Sequence, residues 1–425
     1  MKKFLSVVLA FLMLAVMLPV TAMAEEGDPT CVNGVWQNVT PANVQDVLDG
    51  KYGSIDNTTI ILSAGTYGQL ELGRATKYEG SNTTWYNGQW SQETGWTRVE
   101  SAVSAVSDLD PNLVHFYHRT ISGVTLKAAS NAAVSVAGVK MTSGHIHGTT
   151  GTPAHDYVLD KEIPSTPGSY HLAQTVSNIT FDGITFTAIS DINTSNAETT
   201  IKGVTFKNCT FDINNTASGN QAIRYYNENN NGNMTDLTVD NCKFNSCYQG
   251  VYTGNIKNVT VKNSTFDTTG HNAIAIQDKS TCDHGNVVIT GNTFKNVGDC
   301  IIRFNNVGEG TTITISKNTS TNSGKADGEI IKATTRPDTV TVSMTGNNWG
   351  TSKEGMEAKF GDGFTDVVNE PINENPTVII IDRTEDTPKT DDQKNPATGA
   401  NDVVAAAVAL MAVSALGLAV LTRKK

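Results

Sequence analysis

The sequence predicts an all-β solenoid, in which the chain winds into stacked coils of short parallel strands. Three observations predict it: one six-residue phrase recurs along the chain, the spacers between its copies vary in length, and its third residue is nearly always Gly or Asn. The copies are Phe181–Phe186, Phe206–Phe211, Val239–Phe244, Val261–Phe266, Ile289–Phe294, Ile315–Ser320 and Met344–Trp349. A constant phrase with variable spacers is typical of repeat architectures whose insertions emerge on one side.

Each phrase is predicted to be two strands joined by a one-residue bend. Gly or Asn stands at the bend in every copy except the one with Lys317, and these two types enter the left-handed backbone conformation at the least cost. Before the bend, apolar and polar residues alternate, as in Ile179–Phe181 and Val259–Val261, which is the period of a strand. The residue after the bend is mostly small or an amide, and we expect it to stack inside the solenoid.

A third short strand is predicted after most phrases. Its copies are Ala222–Tyr225, Gly250–Thr253, Ala273–Ile276, Ile301–Phe304 and Ile330–Ala333. Three strands in each coil, with insertions between some of the coils, describe a parallel β-helix over residues 25–350. Before the first coil, Pro41–Leu48 has helical apolar spacing and precedes Gly50, which predicts a short helix that caps the open end.

With these phrases, the sequence resembles the right-handed parallel β-helix superfamily to which pectate lyases and polygalacturonases belong, over about residues 40–350. The resemblance implies the right-handed fold. Because that superfamily includes lyases, glycoside hydrolases, phage tailspikes and non-catalytic adhesins, function has to be argued from a site.

Both termini are predicted to carry export signals. Residues 1–24 fit a signal peptide, with Lys2 and Lys3 before an apolar run and a small-residue cleavage pattern at Ala22–Ala24; a retained membrane anchor is the alternative. Residues 351–394 are predicted to be a C-terminal extension that ends in a polar linker spanning the cell wall.

Residues 395–425 resemble the sorting signal of Gram-positive surface proteins. The motif is followed by an apolar segment, 403–421, and a basic end, and it consists of Asn395, Pro396, Ala397, Thr398 and Gly399. The resemblance implies that a sortase cleaves after Thr398 and links it to peptidoglycan, with Asn395 standing where the usual motif has Leu. An uncut membrane span at 403–421 is the alternative, and both place the protein outside the cell.

The charge of the mature chain limits its partners. Without the terminal signals, 26 basic residues face 41 acidic ones, a net charge near −15. Such a surface argues against nucleic acid as a partner and disfavours polyanionic glycans unless cations intervene, so neutral glycans and proteins are the expected partners. Among the six cysteines, Cys209 and Cys242 share one column, where either a disulfide or two stacked thiols would fit. No cysteine spacing indicates a zinc site.

Two insertions interrupt the early coils. Residues 76–119 hold Trp85, Trp90 and Trp96, which either stack on sugar rings or form a satellite core under a loop. Residues 142–175 hold four histidines, His145, His147, His155 and His171, which we expect to be solvated rather than to bind a metal.

Aligned third strands predict a candidate chemical site. Alignment on their inward residues places Arg224, Tyr252, Arg303 and Lys332 in one outward column, with His271 and Asp299 three residues before an inward residue and Asp278 four after one. Glycoside hydrolysis needs two carboxyl groups, and Asp278 and Asp299 are the predicted pair. Arg303 and His271 are expected to orient substrate, with Arg224, Tyr252, Lys332 and the tryptophans as binding residues.

Two functional hypotheses follow. The first is an enzyme that cleaves extracellular glycan, more readily by hydrolysis than by elimination. No cofactor is predicted, although a lyase could use Arg303 or Lys332 as base together with calcium. The second is a non-catalytic adhesin that holds glycan or protein on the same rod.

Overall fold

Each phrase forms two strands joined in the left-handed conformation. In the computed structural model, φ at the bend is +71° in Gly183, +54° in Asn208 and +65° in Gly291. Lys317, the exception in the sequence, adopts the same conformation with φ +54°. The coil therefore imposes the bend, and Gly or Asn only lowers the conformational free energy that the positive φ costs.

The structure describes residues 27–110, 113–146, 154–163, 170–229, 232–321, 323, 330–333 and 340–350. All of them belong to the first of the chain's two compact units, Met1–Pro376. The predicted signal peptide, linker, sorting motif and apolar segment 403–421 lie outside the described residues. Within the described part, no helix has the length and apolarity needed to cross a membrane.

The first part of the chain contains the cap, two coils and the insertions. Its strands are β1 (Thr30–Val32), β2 (Val35–Val39), β3 (Thr59–Leu62), β4 (Gly65–Tyr67), β5 (Leu70–Glu71), β6 (Thr83–Ser91), β7 (Gly95–Arg98), β8 (Val114–Ser122), β9 (Thr125–Ala128), β10 (Val134–Val136), β11 (Val139–Ile146), β12 (Ala154–Asp156) and β13 (Lys161–Ile163). Its helices are α1 (Val44–Leu48) and the 3-10 turns Glu79–Ser81 and Val106–Asp108.

The second part contains the repeated coils, three strands at a time. These are β14 (Tyr170–Asp182), β15 (Thr185–Phe186), β16 (Ser190–Thr194), β17 (Thr200–Lys207), β18 (Thr210–Asn215), β19 (Gln221–Asn227), β20 (Met234–Asp240), β21 (Lys243–Cys247), β22 (Gln249–Gly254), β23 (Lys257–Lys262), β24 (Thr265–Thr269), β25 (Ile274–Cys282), β26 (Asn286–Thr290), β27 (Thr293–Val297), β28 (Ile302–Val307), β29 (Thr312–Ser316), β30 (Thr319–Thr321), β31 (Ile331–Ala333) and β32 (Thr341–Thr345).

Like strands of successive coils pair in parallel and form three sheets. The first sheet continues through β14, β17, β20, β23, β26, β29 and β32, and the second through β15, β18, β21, β24, β27 and β30. The third sheet continues through β5, β11, β16, β19, β22, β25, β28 and β31. The predicted parallel β-helix is confirmed.

In the core, side chains at equivalent positions of successive coils stack on one another. Phe186, Phe211, Phe244, Phe266 and Phe294 are fully buried, and their ring centroids follow each other at 5.1, 4.7, 4.4 and 5.3 Å. A fully buried Phe contributes about 1.5–3 kcal/mol through area alone, and aromatic pairs add about 0.5–1.5 kcal/mol. We call these five stacked phenylalanines the aromatic file, which runs through five successive coils.

The residues after the bend form the predicted internal column. Asn292, Asn318 and Asn347 make an amide ladder, in which Asn292 Nδ2 donates to Asn318 Oδ1 at 3.1 Å and Asn318 Nδ2 donates to Asn347 Oδ1 at 2.9 Å. Cys209 and Cys242 occupy the same column as thiols, and burial raises the pKa of the Cys242 thiol. Of the two arrangements open from the sequence, the structure has stacked thiols.

The predicted capping helix is present but starts later. It spans Val44–Leu48, and Val44, Val47 and Leu48 are buried in the main core. Asn43 Oδ1 accepts a hydrogen bond from the Thr40 amide at 2.8 Å, which holds the chain in a turn before the helix. The helix thereby covers the apolar end of the first coil.

Candidate functional site

The strand register places the predicted outward column on the third sheet. Arg224 is opposite Tyr252, Tyr252 opposite Ala275, Ala275 opposite Arg303, and Arg303 opposite Lys332. Neighbouring residues in this column are about 4.8 Å apart along the helix axis. The column also runs back through Asp191, Lys140 and Glu71, which the sequence alignment did not include because the insertions hide the early coils.

Arg224 is neutralised within this column. Its Nη1 lies 3.2 Å from Asp191 Oδ1, and its Nη2 lies 3.7 Å from Glu228 Oε1. Its guanidinium also stands 5.5 Å from the centroid of Tyr226, whose ring stacks on Tyr252 at 5.8 Å and 10°. The sequence missed Tyr226, because it lies beyond the four residues taken as the third strand. These contacts make this part of the column a fixed polar surface.

A second group of predicted residues lies at the corner between the second and third sheets. His271 Nε2 is 3.2 Å from Asp299 Oδ2, and the His271 ring stacks on Tyr248 at 5.1 Å. The side chains of His271 and Asp299 are 26 % and 21 % exposed, so substrate could reach both. His271 Nδ1 is buried without a hydrogen-bond partner. We call Tyr248, His271 and Asp299 the ledge.

The ledge brings together one carboxyl group and one imidazole, but the described residues do not reveal a paired second carboxyl group. Asp278 lies in β25, where the register with β28 shifts between Gln277 and Cys282, and its side chain is outside the described atoms. The predicted Asp278–Asp299 pair therefore stays a prediction. Arg303 donates from Nε to Asn305 Oδ1 at 3.4 Å.

The two insertions join each other by strand pairing. β6 pairs antiparallel with β7 and with β8, and β8 runs parallel to β14 from His115 opposite Tyr170 to Ser122 opposite Ser177. Their buried faces form a satellite core of Ala75, Leu109, Tyr117, Val158, Tyr170 and Leu172. The two insertions therefore build a single region beside the early coils.

The predicted tryptophans fall in this region. Trp85 packs against the satellite core, and its Nε1 donates to the Thr76 carbonyl at 3.0 Å. This is the structural alternative that the sequence left open. Trp90 and Trp96 are opposite each other in the β6–β7 hairpin, where the structure describes their backbone only.

A groove of about 400 Å³ opens next to the paired insertions. Phe116 and His171 stack at 4.4 Å and 5° on its wall, and Gly88 on β6 provides the space for the Phe116 ring, since a Cβ there would lie 2.3 Å from that ring. Arg98 Nη1 lies 3.6 Å from Glu198 Oε2 at the same groove. We call Arg98, Phe116, His171 and Glu198 the insertion groove.

The two histidines of the second insertion whose side chains are described, His155 and His171, lie in different places. His155 lies beside Asp160 and Glu162, at 3.2 and 3.8 Å, whereas His171 belongs to the insertion groove. His145 is opposite His171 in the backbone register, and His147 is outside the described residues. Among the residues that the structure describes, no group of three or more His, Cys, Asp or Glu could hold a metal ion.

The insertion groove and the ledge lie in different places on the coils. Glu198 follows β16, at the corner between the third and first sheets, whereas His271 precedes β25, at the corner between the second and third. Three coils separate β16 from β25, a distance of about 14 Å along the axis at strand spacing. The described residues of the aromatic insertion and the ledge therefore do not line one groove.

Comparison with known proteins supports the fold. The family model described as "Right handed beta helix region" matches residues 166–348. A comparison with curated proteins gave no match, and neither did a comparison with solved structures. The chain thus has a right-handed parallel β-helix, and the match carries no information on substrate or activity.

Proposed function

We propose that this protein binds extracellular glycan in its insertion groove. The observation that carries the proposal is the partly exposed Phe116–His171 stack on the wall of a 400 Å³ groove. Small-ligand sites typically combine aromatic walls with a few fixed polar groups, and this groove has both. A flat aromatic surface suits the apolar face of a sugar ring, while polar groups beside it suit its hydroxyls.

The charges in the groove favour a neutral glycan. Arg98 and Glu198 form an ion pair, so their formal charges cancel, but both retain hydrogen-bonding capacity for hydroxyl groups. Arg98 also lies 4.9 Å from the centroid of Tyr86, which restrains the guanidinium. The strongly acidic mature chain disfavours polyanions in addition.

We place this activity at the cell surface. The N-terminal signal, the polar linker and the Asn395–Gly399 motif support export and attachment to peptidoglycan by a sortase. Mass spectrometry of wall fragments tests the attachment: a peptidoglycan adduct on Thr398 supports it, and a chain that extends intact through residues 403–421 contradicts it.

Binding is tested on a glycan array with the purified exported protein. We expect retention of neutral oligosaccharides, a loss of at least tenfold in affinity in Phe116→Ala, and a smaller loss in Glu198→Gln. Lys243→Ala is the matched control, because Lys243 is exposed on the second sheet, away from the groove. If Phe116→Ala and the control bind equally well, the glycan does not bind in the insertion groove.

A second candidate function, glycan cleavage, is favoured by the 3.2 Å contact between His271 and Asp299. In this alternative Asp299 acts with Asp278 as the acid–base pair, and His271 and Arg303 orient the substrate. Product release followed by mass spectrometry tests it, with Asp299→Asn and Asp278→Asn as variants. A lyase would yield unsaturated products and could depend on calcium, which a chelator would reveal. Binding without products from any glycan leaves the protein an adhesin.

A further inference from the structure

A separate cavity of about 170 Å³ lies on the other face of β14 from the insertion groove. Alternate residues of a strand point to opposite faces. Accordingly, Tyr170, Leu172 and Gln174 line this cavity, while His171 lines the groove. The cavity is several times the about 30 Å³ share of one water and below the about 300 Å³ at which drug-sized sites begin. Its size therefore fits one small ring.

Gln174 supplies an acceptor without a partner. The side chain is buried, at 1 % exposure, and its Nε2 donates to the carbonyls of Leu72 and Thr142 at 3.5 and 3.4 Å. These two acceptors fix the orientation of the amide, and Oε1 is left buried without a hydrogen bond. Gly73 leaves room for the amide, since a Cβ there would lie 2.7 Å from Nε2. Gln174 therefore places a polar group with remaining hydrogen-bonding capacity at the wall of the cavity.

The cavity wall is both aromatic and rigid. Arg74 lies 3.9 Å from the centroid of Tyr157 and forms an ion pair with Asp49. Its Nη1 is also 3.5 Å from Glu71 Oε2. Because Arg74 is held on two sides by carboxylates, the Tyr157 ring that packs on it has a fixed position.

The charges around the cavity cancel. Arg74 and Lys140 carry two positive formal charges, and Asp49 and Glu71 carry two negative ones. The carboxylates opposite Lys140 in the strand register, Glu71 and Asp191, form ion pairs with Arg74 and Arg224. Within the described residues Lys140 has no ion pair, so its ammonium group remains available as a donor. A ligand of this site should therefore donate to Gln174, accept from Lys140, stack on tyrosine and carry no net charge.

We propose that this cavity binds a single neutral sugar ring, either as a free monosaccharide or as the end of a glycan chain. Gln174 Oε1 accepts a hydrogen bond from a ring hydroxyl, Lys140 donates to another oxygen, and Tyr157 and Tyr170 provide the walls. The inference deepens the proposed function by adding recognition of a chain end. It stands on different residues from those of the insertion groove.

Titration calorimetry and ligand-observed NMR with free monosaccharides test the cavity. The probes are glucose, galactose, mannose and N-acetylglucosamine, each compared with charged analogues: the matching uronic acid or, for N-acetylglucosamine, glucosamine. We expect at least one neutral sugar to bind with a dissociation constant of about millimolar, as befits about a dozen heavy atoms. The charged analogues should bind at least fivefold more weakly.

Two variants locate the binding. Ala154→Trp fills the cavity without removing a polar contact, and Lys140→Met removes the donor; each should weaken binding at least tenfold, while Lys243→Met should leave it unchanged. The melting temperature of each variant, compared with wild type, verifies folding. Absence of binding by all four neutral sugars, or binding that both cavity variants retain, overturns the inference. Oligosaccharide binding to the groove, weakened by Phe116→Ala, is scored separately, so either site can fail alone.

Discussion

The repeated coils and the paired insertions are built on opposite plans. In the coils, residues at equivalent positions stack on each other. Their polar side chains can form hydrogen bonds from one coil to the next, as in the ladder of Asn292, Asn318 and Asn347. In the insertions, strands that are distant in the sequence pair with each other and cavities lie beside them, as at Gln174. We therefore assign rigidity to the repeats and, under the proposed function, recognition to the insertions, and the following predictions test that division.

The largest expected effect is on the aromatic file of the coils. Phe244→Ala removes a buried ring that stacks on Phe211 and Phe266, and we expect a loss of about 3–5 kcal/mol in the free energy of unfolding. Trp85→Ala, in the satellite core, should cost less than half as much, because Trp85 is only partly buried. Denaturant unfolding of both variants measures the difference. A reversed order would contradict the division.

The next effect is on the amide ladder. Asn318→Ala leaves the backbone amide and Nδ2 of Asn292 without their acceptor, at 3.0 and 3.1 Å in the native ladder, and we expect a loss of about 1–3 kcal/mol. Asn286→Ala, at an exposed position of the neighbouring strand, serves as the matched control and should be nearly neutral. Equal stability of the two variants would show that the ladder contributes little.

Acidification should loosen the insertions before the coils. Burial lowers the pKa of both His115 and His118 in β8 below the ordinary value of 6.5. The unfolded state therefore binds protons first, so the stability from keeping these rings neutral is complete above about pH 6.5 and is lost as pH falls through the lower folded values. A tenfold difference in proton affinity between the folded and unfolded states corresponds to about 1.4 kcal/mol of stability.

Hydrogen exchange at pH 7.5 and pH 5 measures this effect, after correction for intrinsic rates. Protection of Val114–Ser122 should fall at pH 5, while that of the strand Val259–Val261 should persist. The double variant His115→Gln, His118→Gln should lose most of the difference. Equal losses in both regions at pH 5 would argue against a histidine origin.

The smallest effect is expected at the third-sheet column. Arg224→Ala removes the contacts with Asp191 and Glu228, which are partly exposed ion pairs, and we expect a change of about 0–1 kcal/mol in stability. Glycan affinity should also change less than twofold if binding occurs only in the insertion groove. A tenfold loss of affinity would instead assign the column a binding role.

The sequence predicted the coils well because each coil is encoded locally. Each coil has a bend residue, an alternating strand and usually a phenylalanine at the last position of the phrase. These features suffice to align Phe211 with Phe244 and Arg303 with Lys332. Lys317 also adopts the left-handed conformation of the other bend residues, because the neighbouring coils impose it. Once the phrase is recognised in the sequence, few arrangements of the three parallel strands in each coil remain possible.

The insertion groove could not be predicted in the same way. Phe116 and His171 are 55 positions apart in the chain, and no repeated phrase links them; their contact depends on the pairing of β8 with β14. The hydrophobic pattern also did not decide whether Trp85 packs inward or binds ligand. Buried orphan atoms such as Gln174 Oε1 become recognisable only in three dimensions.

Hydrogen exchange with and without a bound neutral oligosaccharide tests the central claim most directly. We expect new protection in the segments 114–118, 170–174 and 195–198, which contain the groove residues Phe116, His171 and Glu198. We expect little change in the third-sheet column of the later coils. Protection confined to residues 248–254, 271–277 and 299–305 would contradict it, because recognition would then belong to the repeats.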